Sequence, residues 1–238
     1  MRPTGPAGDH PPGPPDPAAA DVAAVAERLR RGGAVVLPNP APLTHVVAAT
    51  DPRAVNTAKG RPADQPVALW AHHPDTLAAL GPLLDLDTAG YALARRLLAD
   101  ELVTLLAPLR PGRDRPGWAA PASKDGWTLL FGARWEPLRA LLDPHPVLYV
   151  SSANRTGHAP AATAAEAAAM FGPAVPVLGA GDPHAAPDTR PGPPRRATTT
   201  LRLHPDSRLE LHRHGAQDHP YGGAAGYLAH LADRPSGI

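Results

Sequence analysis

Apolar residues arrive first at helical spacing and later in short blocks. From Asp21, the positions Val22, Val25, Ala26 and Leu29 recur three or four residues apart, and Gly32-Gly33 closes the run, so a helix is predicted. Residues 34–37 (Ala-Val-Val-Leu) read as a short buried strand stopped by Pro38. Asp51-Pro52 has the form of an N-cap followed by a first-turn proline, which opens a short helix to about Ala58. Strands are predicted over 67–70, 103–109, 128–131, 146–150, 175–178, 198–203 and 209–212, and helices over 75–80, 87–98, 136–142 and 163–171. A terminal helix over 221–231 is expected outside the main domain. Strands and helices alternate for most of the length, which argues for α/β or mixed α+β architecture.

Composition sets the outer limits. The chain has 238 residues, 43% of them apolar and 4% aromatic, so a core must be built from Ala, Leu and Val. The formal charge of +1 gives no whole-protein field for nucleic acid or an anionic membrane, although cations can still cluster locally. The absence of cysteine excludes disulfides, thiolate metal sites and a cysteine nucleophile. No signal-peptide pattern and no long apolar span is visible, so a soluble, cytoplasmic protein is expected. Residues 1–17 are Pro/Gly-rich and are expected to be a disordered tail. Residues 18–216 are expected to form the domain and 217–238 a C-terminal tail with a short helix.

Candidate chemistry gathers at four places. Lys59-Gly60-Arg61-Pro62 sets two cations around a glycine on a turn leaving a helix. Lysine offers a compact charge and arginine a fork for phosphate oxygens. Such a turn is also a common solvated surface feature, yet the chain has only two lysines, Lys59 and Lys124. Ser151-Ser152-Ala153-Asn154-Arg155-Thr156-Gly157 follows an apolar strand, at the end where open α/β sheets bind ligands. Ala197-Thr198-Thr199-Thr200-Leu201 can line a pocket with hydroxyls or simply be a good strand. Arg213-His214-Gly215-Ala216 ends the last strand. Twelve histidines raise the question of a metal, but no H-E-x-x-H or similar spacing occurs, and no metal site is expected. Neither a P-loop nor a G-x-S-x-G nucleophile motif is present.

In this order, the pieces resemble the YrdC-like superfamily, whose best-known enzymes are threonylcarbamoyl-AMP synthases. The resemblance runs from about Asp21 to Ala216 through K-G-R-P, S-A-N-x-T-G, the threonine strand and R-x-G-A. It implies a twisted, mixed, open α/β sheet with flanking helices and a concave, positively charged face. It further implies the joining of L-threonine, bicarbonate and ATP (with Mg2+) into threonylcarbamoyl-AMP, with release of pyrophosphate, for tRNA modification. Carried over residue by residue, Lys59, Arg61, Asn154 and Arg213 would bind the nucleotide. Ser152 and Thr199 would contact the substrate, and no residue is assigned as catalytic.

The chain departs from that pattern on the amino-acid side. Where active synthases continue P-T-D/E-T-x-Y-G-L, this chain has Pro38-Asn39-Pro40-Ala41-Pro42-Leu43-Thr44-His45. Phe131 stands where an arginine would bind the amino-acid carboxylate, unless Arg134 substitutes from a shifted register. Ala99-Asp100-Glu101-Leu102 replaces a W-P-G-P segment. Losing a charged partner of this kind costs about 2–5 kcal/mol. Three readings are open: an adenylate-forming enzyme with another acceptor, a divergent synthase, or a non-catalytic module binding nucleotide or double-stranded RNA.

Overall fold

A computed structural model describes residues 17–179 and 194–234. The expected tail at 1–16 and most of the expected loop at 179–196 lie outside the described residues. The strands are β1 (Val35–Leu37), β2 (Val46–Ala49), β3 (Ala68–Trp70), β4 (Thr104–Pro108), β5 (Ser123–Lys124), β6 (Trp127–Phe131), β7 (Tyr149–Ser152), β8 (Thr200–Leu203) and β9 (Leu209–Arg213). The helices are α1 (Pro17–Arg30), α2 (Pro52–Ala58), α3 (Pro74–Leu80), α4 (Thr88–Ala99), α5 (Arg139–Leu142), α6 (Ala164–Phe171) and α7 (Ala224–Asp233).

The strands form one open mixed sheet in the order β1-β2-β7-β3-β6-β4-β8-β9, with β5 paired to β6. β3 runs parallel to β6 and β4 parallel to β8, while the remaining pairs are antiparallel. Side chains alternate across the sheet, so each strand feeds two cores. Val47, Leu69, Leu105, Leu130 and Leu201 enter one core, with Val55 of α2, Leu77 of α3, Leu97 of α4 and Phe171 of α6. Val46, Ala68, Trp70, Phe131 and Val150 enter the other, beneath Val25 and Leu29 of α1 and Leu141 and Leu142 of α5. The second face is thus covered at one end, and its other end is left for a cavity.

Three expectations change. β2 (Val-Val-Ala-Ala) is a strand that the sequence reading left out; it pairs with β1 on one side and β7 on the other. Residues 175–178 form no strand, and Val177 makes only an isolated bridge to Val36. The C-terminal helix is not outside the domain. Tyr227 and Leu231 of α7 are 1% exposed in the larger core, and Arg96 of α4 donates from Nη2 to Leu231 O at 3.2 Å. Among the described residues, no helix is long and apolar enough to cross a membrane.

Candidate functional site

The site begins at the C-terminus of α2. Asp51 caps the helix by accepting from Arg53 N at 2.9 Å, and Pro52 occupies its first turn. At the other end Gly60 takes a left-handed φ of 65°. Gly60 N donates to Thr57 O at 3.0 Å and Arg61 N to Asn56 O at 3.1 Å, the paired bonds of a Schellman cap. A Cβ on Gly60 would meet nothing within 4 Å, so the left-handed φ of the turn is what calls for glycine there. The turn throws Arg61 off the helix axis. Fully buried Asn56 then fixes it, accepting from Arg61 Nε at 2.6 Å and donating to Ala63 O and Gln65 O at 2.9 and 2.8 Å.

Lys59 reaches the other way. It is 4% exposed, and its ammonium donates to Asn154 O and Asn154 Oδ1, both at 2.8 Å, and to Ser152 O. Those three acceptors use all three ammonium protons. Burial, and after it the Arg61 charge, pull the Lys59 pKa down to about 7, while the surrounding oxygens favour the charged form. Asn154 is equally committed. Its Oδ1 also accepts from Ser152 Oγ at 2.6 Å, and its Nδ2 donates to Arg155 O and His158 O at 3.1 and 2.8 Å. Thr156 closes the joint by donating from N and from Oγ1 to Lys59 O, each at 3.2 Å.

A cavity of about 190 Å³ opens on the uncovered half of the second sheet face. Arg61, Arg213, Ser152, Thr104, Thr198 and Asn39 supply its polar lining, and Val46, Ala68, Leu129, Phe131 and Val150 its apolar floor. Arg61 and Arg213 therefore face one cavity from opposite ends of the sequence. No carboxylate lies within ion-pair distance of either among the described residues. Arg213 donates from Nη2 to Thr198 O at 3.4 Å, and burial of part of it lowers its pKa, as burial does for Arg61. Thr198 Oγ1 and Thr104 Oγ1 bond each other at 2.6 Å.

Of the six residues singled out in sequence, Arg61, Ser152 and Arg213 line the cavity. Lys59 and Asn154 do not; they hold the end of β7 that carries Ser152. Thr199 does not line it either. Just ahead of β8, Thr199 turns inward, where it is fully buried, and its Oγ1 donates to Asp218 Oδ1 at 2.6 Å. Its neighbour Thr198 faces the cavity instead.

Asn39 was missed. It is 3% exposed and its Nδ2 donates to Thr44 O at 2.8 Å, which leaves Oδ1 buried without a partner beside the cavity. A lone Asn between prolines carries no signal in sequence. Asn56 was missed too, although an Asn five residues before an Arg that leaves a helix end is a readable spacing.

Comparison with solved structures places this geometry. P. abyssi Sua5 complexed with L-threonine matches at 20% identity with a TM-score of 0.58, over 83% of this chain and 54% of that one. E. coli YciO matches at 14% identity and a TM-score of 0.57, over 84% of this chain and 90% of that one. The chain has the YrdC-like fold. Full-length HypF in a phosphate- and nucleotide-bound form also matches, at 15% identity and a TM-score of 0.58, over 84% of this chain and 30% of that one. The chain spans about half the length of the Sua5 structures, 54% and 57%. No family model and no curated protein matches the sequence.

Within the YrdC-like fold, the two arginine positions separate cleanly. Phe131 forms part of the cavity floor. Arg134 lies elsewhere, donating from Nη2 to Ala71 O at 2.8 Å and lining a different groove. It therefore does not stand in for an arginine in this cavity.

Proposed function

We propose that the cavity grips the phosphates of ATP between Arg61 and Arg213 and presents them to a small acceptor, as a threonylcarbamoyl-AMP synthase-like nucleotidyltransferase. The observation that carries this reading is the convergence of two guanidiniums, unpaired with any carboxylate among the described residues, on one cavity lined by Ser152 and Thr198. HypF in a nucleotide- and phosphate-bound form and Sua5 with L-threonine share the fold, which supports a nucleotide and a small molecule as the two ligands.

The chemistry follows from what lines the cavity. An acceptor oxygen attacks the α-phosphorus and pyrophosphate leaves. Arg61 and Arg213 offset the charge that builds on the phosphates. No group suited to general-base work lines the cavity, so the protein's contribution is positioning and charge stabilisation. A volume of about 190 Å³ holds the acceptor and the reacting phosphate, with the nucleoside lying beyond the mouth. Mg2+ would be held by the phosphate oxygens, since the cavity offers no carboxylate and no cluster of three metal-ligating side chains occurs among the described residues.

The acceptor pocket favours something other than threonine. Phe131 gives no charge for a carboxylate, and the unpartnered Asn39 Oδ1 calls for an N–H donor. A carbamate without a further carboxylate suits both, since its attacking oxygen is already anionic and its N–H can meet Asn39 Oδ1. Pyrophosphate release from ATP, measured with bicarbonate and a panel of amines and amino acids, tests this. Release with an amine supports the reading, and strongest release with threonine restores the ordinary synthase. ATP binding without release by any acceptor leaves a nucleotide-binding module, and no ATP binding sinks the reading.

One observation favours a nucleic-acid reading. On the same sheet face, the Arg202 guanidinium lies 5.1 Å from the Trp127 ring, and His204 meets that ring edge-on at 5.7 Å. Glu210, however, lies 3.8 Å from Arg202 and 3.1 Å from His204, which reduces the positive field there. RNA binding requires a steep loss of affinity with salt, and a flat salt response excludes it.

A further inference from the structure

A second groove lies between α3 and α4, at the carboxyl ends of the parallel neighbours β3 and β6. It encloses about 630 Å³ and shares no lining residue with the first cavity. Three arginines line it, Arg95 and Arg96 from the last turns of α4 and Arg134 from the segment after β6. Leu77 and Tyr91 give it an apolar wall, with Tyr91 Oη tied to Leu77 O at 2.6 Å.

The charges there are not balanced. Asp75 and Asp100 also line the groove, yet no carboxylate stands within ion-pair distance of any of the three guanidiniums among the described residues. Burial lowers the Arg134 pKa, Arg95 lowers it further, and Asp100 offsets part of this. Each inner guanidinium makes one bond: Arg96 Nη2 to Leu231 O at 3.2 Å and Arg134 Nη2 to Ala71 O at 2.8 Å. Arg96 Nε, Arg96 Nη1 and Arg134 Nε are shielded from solvent without any acceptor. The carbonyl end of α4 favours cations in its last turn. It supplies none of these N–H groups with an acceptor, and it does not account for Arg134.

Buried N–H donors of a cation ask for an anionic acceptor with several oxygens. Arginine forks suit phosphate, and the apolar wall suits an organic body attached to it. We propose that this groove is a second ligand site, which binds a phosphate-bearing small molecule through Arg95, Arg96 and Arg134. It is independent of the ATP reading of the first cavity.

Calorimetric titration of the full chain with inorganic pyrophosphate tests the site. The Arg61→Gln/Arg213→Gln protein silences the first cavity and is expected still to bind. Adding Arg95→Gln, at an exposed position that leaves the fold intact, is expected to weaken that binding at least fivefold. Arg134→Lys, which keeps the charge and loses the fork, is expected to weaken it as well. Absence of binding in the cavity-silenced protein, or an effect of Arg95→Gln below fivefold, overturns the proposal. Equal affinity for citrate at matched ionic strength overturns the phosphate assignment.

Discussion

Asn56 Oδ1 accepts a hydrogen bond from Arg61 Nε at 2.6 Å, so the side chain that aims the cavity's first guanidinium is itself fully buried in α2. The same carboxamide donates to Ala63 O and Gln65 O, tying down the backbone that follows the turn. Asn56→Leu keeps the volume and removes all three bonds. Each lost bond leaves a group unpaired at a cost of about 1–3 kcal/mol, but the exposed parts of the loop can recover water, so a total of about 2–4 kcal/mol is expected. Urea unfolding reads that loss. ATP affinity should fall with it, because Arg61 loses its fixed direction; unchanged affinity would show that Arg61 needs no such support.

The fold, and the turns that carry Arg61 and Ser152 to the cavity, were legible in sequence because their signals are local. Asp51-Pro52 and Gly60 mark the two ends of α2, and the structure caps both. The apolar run before Ser151 announced a strand with a loop at its carboxyl end, and the order of motifs pointed to the architecture. What was not legible depends on packing across the sheet. Whether Thr198 or Thr199 faces the cavity is a matter of register, and a one-residue shift inverts it. Whether Lys59 points at a ligand or at its own loop depends on the chain returning 93 residues later to place Ser152 O beside it. The Val-Val-Ala-Ala strand β2 lacks alternation because it is buried on both faces, which removes the period that marks a half-buried strand.

Lys59 holds the end of β7 and the turn after it through three oxygens of Ser152 and Asn154, and this sets what its removal does. Lys59→Met retains most of the stem and leaves Ser152 O, Asn154 O and Asn154 Oδ1 without their cation. Bonds to a charged group contribute about 1.5–3 kcal/mol, so a stability loss of about 2–3 kcal/mol is expected. ATP affinity is expected to fall less than in Arg61→Gln or Arg213→Gln, each of which removes a cation lining the cavity. Parallel calorimetry and urea unfolding on the three proteins check the order. A larger binding loss in Lys59→Met with unchanged stability would make the ammonium a direct phosphate ligand.

His45 provides a pH dependence. It is 5% exposed, and burial, followed by the Arg195 charge, holds its pKa down at about 4. The unfolded chain, with an ordinary value near 6.5, binds more protons between those two values. Stability therefore rises with pH from about 4 to 6.5 and is fully present above that window. The loss on acidification is on the order of 3 kcal/mol, since each pKa unit is worth about 1.4 kcal/mol. His45→Gln is expected to flatten this slope in urea unfolding at pH 4.5 and 7.5. A slope equal to that of the unaltered chain would assign the acid sensitivity to other groups.

Thr198 and Thr199 are adjacent and face opposite ways, so the same substitution at each should have opposite readouts. Thr199 Oγ1 donates to Asp218 Oδ1 at 2.6 Å and accepts from Gln217 N and Asp218 N at 3.0 and 3.1 Å. Burial opposes the Asp218 charge, but bonds from Thr199, His214 and Gly215 together keep its pKa below the ordinary value. Thr199→Val strips a buried carboxylate of one donor and two backbone N–H groups of their acceptor, at about 2–4 kcal/mol of stability. It leaves the cavity lining unchanged. Thr198→Val removes a hydroxyl that lines the cavity and bonds Thr104 Oγ1 at 2.6 Å. A smaller stability loss of about 1 kcal/mol is expected there, since Thr104 keeps access to the cavity's water. Ligand affinity should fall in Thr198→Val and hold in Thr199→Val at a temperature where both are folded. The reverse pattern would mean that the segment leading into β8 turns the opposite residue to the cavity in solution.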